Sequence, residues 1–181
     1  YSYHYNSIGG AIINNTIASN SYSIRFNFES AGNIMYALSK ATNIRKNNDG
    51  EYAILGIPYA QYVKGEFDFS KNIRIDHRNS FAFHIGMGIA VPYGNAKTIP
   101  FEKQYFSGGA NSVRGWTVRD LGPGSFVRDE NTNLLDQSGD IKLDASIEYR
   151  SKLFWKFQGA IFVDAGNIWT IRDYDNQPGG V

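Results

Sequence analysis

"IPYAQYVKGEFDFSKNIRID", residues 57–76, alternates in character along most of its length. Its odd positions read Ile57, Tyr59, Gln61, Val63, Gly65, Phe67, Phe69, Lys71, Ile73 and Ile75, while its even positions read Pro58, Ala60, Tyr62, Lys64, Glu66, Asp68, Ser70, Asn72, Arg74 and Asp76. Side chains of an extended chain point alternately to opposite faces, so a period of two predicts one strand with an apolar and a polar side. The run is about four times the ~5 residues of an ordinary globular strand, which disfavours a simple sandwich.

Two further runs repeat the pattern. Phe81, Phe83, Ile85, Met87, Ile89 and Val91 oppose Ser80, Ala82, His84, Gly86, Gly88 and Ala90; Ile141, Leu143, Ala145, Ile147 and Tyr149 oppose Lys142, Asp144, Ser146, Glu148 and Arg150. Less regular strands are read at 1–6, 21–30 and 156–169, for roughly six in all. Short connections fall near 14–20, 77–80 and 151–155, and long ones near 35–55 and 94–138. Short turns at one end and long loops at the other are the asymmetry of an outer-membrane barrel. "ESAGNIMYALSKA", 29–41, is read as a strand end running into a folded loop, with a short partner-binding helix as the alternative.

Composition narrows the class. The 181 residues suffice for one domain with its own core, and a net charge of +1 offers no basic footprint for nucleic acid. Absence of cysteine excludes disulfides and thiolate metal sites. No apolar run approaches the ~18 residues of a membrane helix. Aromatic content is 15% although the mean hydropathy is −0.37, which fits strands that are apolar on one side only. A soluble antiparallel barrel or sandwich would alternate too. What separates them is the polar face, where charges of both signs mix with Gly, Ala and Ser as in a wet lumen, against a Phe, Ile and Tyr face suited to lipid. The fold expected is all-β, an antiparallel transmembrane β-barrel. Six strands cannot close where the smallest such barrels need ~8, so residues 1–181 are read as part of one larger barrel domain.

The long loop contains "GGANSVRGW", residues 108–116, with a lone arginine beside a large indole. Arg114 has two options, to sit in water or to fold back into the lumen and meet a carboxylate. Gly108, Gly109 and Gly115 permit backbone conformations and close approaches that a packed loop tip needs. Partners stand on later strands: Asp164 in "FVDAG" (162–166) and Glu148 in "SIEYR" (146–150). Gly86, Gly88 and Ala90 leave room on the polar side of their strand. An arginine fork can bind two carboxylates with directed hydrogen bonds, which lysine cannot match.

The pair "VRGW" and "FVDAG" resembles the BamA/TamA superfamily of outer-membrane assembly proteins, and the resemblance covers essentially the whole chain. It implies that the loop tip Val113, Arg114, Gly115 and Trp116 folds into the lumen. There Arg114 would contact Asp164 of the strand motif Phe162, Asp164 and Gly166, together with Glu148 on the preceding strand. Trp116 stands where many relatives carry Phe or Tyr. The wording "FEKQYFSGGANSVRGW…LGPGS" and "GDIKLDASIEYR" looks like the TamA-like lipoprotein branch of Bacteroidetes. By the same resemblance, the chain would supply about six middle-to-late strands of a sixteen-stranded barrel.

Other motifs point to blander roles. "GSFVRDENTNLLDQSGD", 124–140, is rich in Asp and Asn but lacks the glycine and terminal glutamate of an EF-hand loop, and reads as a solvated surface loop. The glycines at 108–115 precede no Gly-Lys-Ser/Thr. His4, His77 and His84 lack metal-ligand spacing, and His84 reads as a lumen side chain. No serine or cysteine nucleophile is paired with a local base. Neither catalytic residues, cofactor nor metal is expected.

The function the resemblance implies is assembly and insertion of client β-barrels, or delivery of surface proteins, in a Gram-negative outer membrane. Its partners would be the lipid bilayer, the clients, and periplasmic accessory or inner-membrane-anchored proteins, without nucleic acid. Three alternatives stay open: a two-partner secretion pore, the barrel of a fused lipase, and a passive porin.

Overall fold

A computed structural model describes residues 1–7, 20–47, 50–126 and 137–172. Six strands form one open antiparallel sheet: β1 (Ser2–Ser7), β2 (Ser21–Ala31), β5 (Tyr62–Arg74), β6 (Asn79–Pro92), β7 (Ile141–Lys152) and β8 (Gln158–Trp169). Their spatial order is β1-β2-β5-β6-β7-β8, so each long strand pairs with its neighbour along the chain. A two-stranded hairpin, β3 (Ala53–Ile54) with β4 (Ile57–Pro58), and a helix α1 (Asn33–Ala41) lie between β2 and β5. Among the described residues no helix is long and apolar enough to cross a membrane.

Register carries the alternation from strand to strand. Phe67 stands opposite both Phe26 of β2 and Met87 of β6, and Met87 stands opposite Leu143 of β7. One face is therefore a continuous apolar sheet, with Phe26, Met87, Leu143, Ile147, Ile161 and Val163 exposed on it. Rings gather on this face toward the short-turn end: Tyr5 lies 5.9 Å from Tyr22 and Phe81 5.1 Å from Tyr149. An apolar band bounded by aromatic side chains is what a lipid-facing barrel wall requires. The other face carries Glu66, Asp68, His84, Asp144, Glu148 and Asp164, and it is covered in part by the chain between β6 and β7. The buried cluster of Tyr62, Ala90, Ile99, Tyr105 and Ile168 lies under that cover.

Three expectations are corrected. The run from Ile57 does not make one strand of 20 residues, because β5 begins at Tyr62 and is 13 residues long. Leu55 (φ 51°) and Gly56 (φ 82°) are left-handed and fold Ile57–Pro58 back on Ala53–Ile54. Thus the parity of 57–61 continues while the backbone does not. Second, the segment after β2 is helical rather than an irregular loop. Gly32, left-handed at φ 81°, ends the strand, and Ala, Leu, Met and Lys in 33–41 favour the helix. Third, the short turns fall at 75–78 and 153–157 rather than at 77–80 and 151–155. The connection expected at 14–20 lies mostly outside the described residues, as does much of the Asp/Asn-rich stretch at 124–140.

The β5–β6 turn is closed by one carboxylate. Asp76 Oδ1 accepts from Arg78 N at 2.6 Å and Asn79 N at 2.9 Å, and Oδ2 accepts from Asn79 Nδ2 at 2.8 Å. These bonds, led by the Asn79 amide, hold the Asp76 carboxyl below its ordinary pKa. A depressed carboxyl stabilises the fold above its unfolded pKa, and the contribution is lost as pH falls through the lowered native value. Asp76→Ala is expected to speed amide hydrogen exchange at Arg78 and Asn79 at neutral pH, whereas in the parent that acceleration appears only on acidification.

Candidate functional site

The wall half of the site follows from strand register alone. Glu148 of β7 is paired with Phe162 of β8, and Ser146 with Asp164. Residues two apart share a face, so Glu148, Phe162 and Asp164 form one inward patch. Gly166 stands opposite Asp144, where a Cβ would lie 2.8 Å from the Leu143 carbonyl oxygen and 2.9 Å from Asp144 Cβ. On the other side of Asp144, a Cβ on Gly86 would lie 3.0 Å from its Oδ1. Two glycines thus make the slot in which this buried carboxylate sits.

The loop between β6 and β7 is braced on both sides of its tip, to the wall and across its own limbs. Tyr105 and Gly139 exchange backbone hydrogen bonds of 2.8 Å, which joins the two limbs of the loop. The Tyr105 ring lies flat on Gly88, where a Cβ would come within 2.5 Å of Tyr105 Cζ, and its hydroxyl donates to the Gly65 carbonyl at 3.1 Å. Lys64 Nζ lies 4.3 Å from the centre of that ring. Lys103 Nζ meets Glu29 Oε1 at 2.6 Å, which holds its pKa above the ordinary lysine value. Further on, Asn167 Nδ2 donates to the Gly124 carbonyl and Gly124 N to the Ile168 carbonyl, both at 2.8 Å.

The tip itself is a tight hairpin. Gly109 N donates to the Trp116 carbonyl at 2.8 Å, Arg119 N to Ser107 at 3.0 Å, and Trp116 N to Val113 at 3.2 Å. Gly108 (φ 98°) and Gly109 (φ 87°) are left-handed, and a Cβ on Gly108 would lie 2.1 Å from the Thr117 carbonyl oxygen. At these two positions glycine is required. The expectation for Gly115 is corrected: a Cβ there would meet nothing within 4 Å and its backbone is not left-handed, so neither a close approach nor a turn requires glycine. Val113 is buried, whereas Trp116 is exposed.

Arg114 projects from this tip onto the wall patch. Its Nε donates to Asp164 Oδ2 at 2.7 Å, its Nη2 to Asp164 Oδ1 at 2.7 Å, and its backbone N to Asp164 Oδ2 at 3.0 Å. Its Nη1 donates to Glu148 Oε2. The face of the guanidinium lies 3.6 Å from the centre of the Phe162 ring. Both carboxylates are well covered, with the Asp164 side chain only 4% exposed. Arg150 binds the second oxygen of Glu148. The hydrogen bonds it donates to Asp164 first, and to Glu148 second, push the Arg114 pKa still higher than its ordinary value. Such a group neither gives nor takes a proton near neutrality, and its bonds hold the loop tip to the wall as a clamp.

Beside the clamp lies a polar cavity of about 490 Å³, lined among others by His84, Asn111, Arg114, Glu148 and Arg150. His84 occupies the wall between Asp68 and Asp144, 3.5 Å from each, and Lys142 Nζ reaches Asp144 Oδ1 at 3.1 Å. The contact of Phe162 with the guanidinium, the third bond from the Arg114 backbone, and the seating of Tyr105 on Gly88 are absent from a reading of the sequence alone. The bare Gly86–Ala90 face shows that something must cover it, but not which ring.

The family model described as the Omp85 superfamily domain matches residues 1–180. The outer membrane protein assembly factor BamA of Neisseria meningitidis serogroup B is 35% identical over 99 residues, covering 50% of this chain and 12% of that protein. The crystal structure of BamA from Haemophilus ducreyi lacking POTRA domains 1–3 superposes with a TM-score of 0.50 at 18% identity, over 84% of this chain and 39% of that one. The chain therefore spans well under half the length of either relative, and the structural likeness concerns the barrel fold.

Proposed function

The chain belongs to the Omp85 superfamily, and from that premise we propose that it is barrel wall from a factor that inserts and folds client β-barrels, or delivers surface proteins. It is an outer-membrane protein of the Gram-negative type. The observation that supports the assembly reading best is the Arg114 clamp, in which one loop arginine engages two carboxylates and a ring on the wall. A passive pore has little use for a loop tied across its lumen. A protein that must open or deform its wall while excluding solutes does have such a use.

The work is non-covalent in this proposal. Client strands are recruited by pairing with unpaired strand edges, whose free N–H and C=O groups template a further strand. No residue of this chain is assigned a catalytic role. Partners are the bilayer, the unfolded clients, and periplasmic or inner-membrane-anchored accessory proteins. Within the family we assign it to the TamA-like lipoprotein branch, on the wording of 101–125 and 139–150. A lipidated cysteine on the mature full-length protein would support that branch, and its absence would remove it.

The test of the main reading is depletion of the full-length protein in its own bacterium, followed by heat-modifiability gels of several unrelated outer-membrane barrels. Assembly predicts that their folded bands fall together. Loss of one exported protein alone would replace the reading with a secretion pore, loss of lipid hydrolysis with a fused lipase, and loss of solute flux alone with a porin.

A further inference from the structure

The helix between β2 and β5 bonds its polar side chains to residues 59, 61 and 93 and leaves its large apolar ones exposed on the face away from them. Asn33 Oδ1 accepts from Gln61 Nε2 at 2.9 Å and from the Tyr93 hydroxyl, and Ser39 Oγ accepts from the Tyr59 hydroxyl at 3.2 Å. Tyr36 stands edge-on to Tyr52 at 5.6 Å. These contacts hold one face of α1 to the strand ends. The opposite face, at helical spacing, carries Ile34, Met35 and Leu38, all exposed, with Ile34 at 78%. On the β3–β4 hairpin Leu55 is 97% exposed, and it holds a left-handed conformation that a branched side chain adopts only at a cost. Two separate elements of one loop thus display large apolar groups on a scaffold fixed by hydrogen bonds.

Position and charge indicate what covers them. The outward apolar residues of β2 end at Phe28, and α1 begins five residues later at Asn33. β2 stays extended only to Ala31 before the left-handed Gly32, so at ~3.3 Å per residue and a tilt of ~45° its end is about 7 Å above the edge of the lipid-facing band. A helix is itself about 10 Å across, which brings α1 to the level of the headgroups. Residues 32–47 contain Lys40, Arg45 and Lys46 and no acidic residue.

We propose that α1 and the β3–β4 tip form an interfacial anchor in the outer leaflet. Ile34, Leu38 and Leu55 lie at the boundary of headgroups and acyl chains, and Lys40, Arg45 and Lys46 face anionic lipid phosphates. An apolar helix face followed by basic residues at and beyond its C-terminus binds an anionic membrane surface through both terms. The anchor continues the lipid-facing wall upward and sets the depth of the β2–β5 end in the bilayer.

A photo-crosslinking residue placed at Leu38 or Leu55 of the full-length protein in living cells tests this. Ile161, on the lipid-facing wall and 75% exposed, is the lipid control, and Asn111, beside the lumen cavity, is the water control. Adducts carrying lipid phosphate are expected at 38, 55 and 161 and not at 111. Charge reversal at Lys40, Arg45 and Lys46 together should reduce the lipid adduct at 38 several-fold and leave that at 161 unchanged. A discrete protein adduct at 38 or 55, or no adduct there while 161 labels, would overturn the anchor.

Discussion

Arg114→Ala in the full-length barrel is expected to release the loop tip and lower barrel stability by about 3 kcal/mol, in the range for breaking a covered ion pair by removing one partner. The reason lies mainly in what remains. Asp164 loses both of its guanidinium hydrogen bonds in a site where its side chain is 4% exposed, and Glu148 keeps Arg150 alone. Only the backbone bond from residue 114 can survive, and then only if the tip stays in place. The reading is a lower unfolding temperature on heat-modifiability gels, with new protease cleavage between 107 and 121. Arg114→Lys is expected to rescue little, because one ammonium cannot span both carboxylates and lie flat on Phe162 at once. The double variant Arg114→Ala/Asp164→Ala should be less destabilised than the sum of the two singles, since each single leaves a charge stranded that the double removes. Unchanged melting and protease resistance in Arg114→Ala would show that the tip is held by its backbone hairpin and not by the clamp.

How much of this was legible before the fold was in hand differs by element. Alternation in β5, β6 and β7 assigns Glu66, His84 and Glu148 to one side and Phe67, Ile85 and Ile147 to the other, because a pleated strand gives the pattern only one interpretation. That Asp164 and Glu148 share a face follows from counting by twos. That a loop arginine reaches them does not, since 50 residues of chain separate Arg114 from Asp164 and no periodicity spans them; the paired motifs carried that inference. The boundaries at 57–62 were illegible for a related reason. Apolar residues keep the odd parity at Ile57, Tyr59 and Val63, whereas the left-handed Leu55–Gly56 turn that redirects the backbone uses a leucine where such turns favour Asn or Gly. Glycine is similarly ambiguous from sequence. Gly108 and Gly115 flank the same tip, but only the first has a left-handed backbone and a neighbour that excludes a side chain.

Gly88 gives the second large effect, because here a close approach and not a turn demands glycine. A Cβ would sit 2.5 Å from Tyr105 Cζ and 2.7 Å from its Cε1 and hydroxyl oxygen, well inside contact distance. The ring cannot simply rotate away. Its hydroxyl is bonded to the Gly65 carbonyl, Lys64 lies 4.3 Å from its centre, and its backbone is paired with Gly139 on the returning limb. Gly88→Val is therefore expected to lift Tyr105 off the wall and carry with it the loop that delivers Arg114. The cost should be about 2–4 kcal/mol, the usual scale for overpacking combined with lost buried contacts. Tyr105→Ala alone should cost somewhat less, by removing the ring's burial and its hydroxyl bond while leaving the backbone bridge. The combination tells the two causes apart: if collision with the ring is the fault of Gly88→Val, adding Tyr105→Ala should restore most of the difference between that variant and Tyr105→Ala. If the double variant is as unstable as the sum of the two, Gly88 is needed for strand geometry and not for seating the loop. The same pair bears on the clamp, since protease cleavage at 107–121 in Gly88→Val with Arg114 intact would show that the arginine cannot hold the tip unless Tyr105 first holds the limb above it.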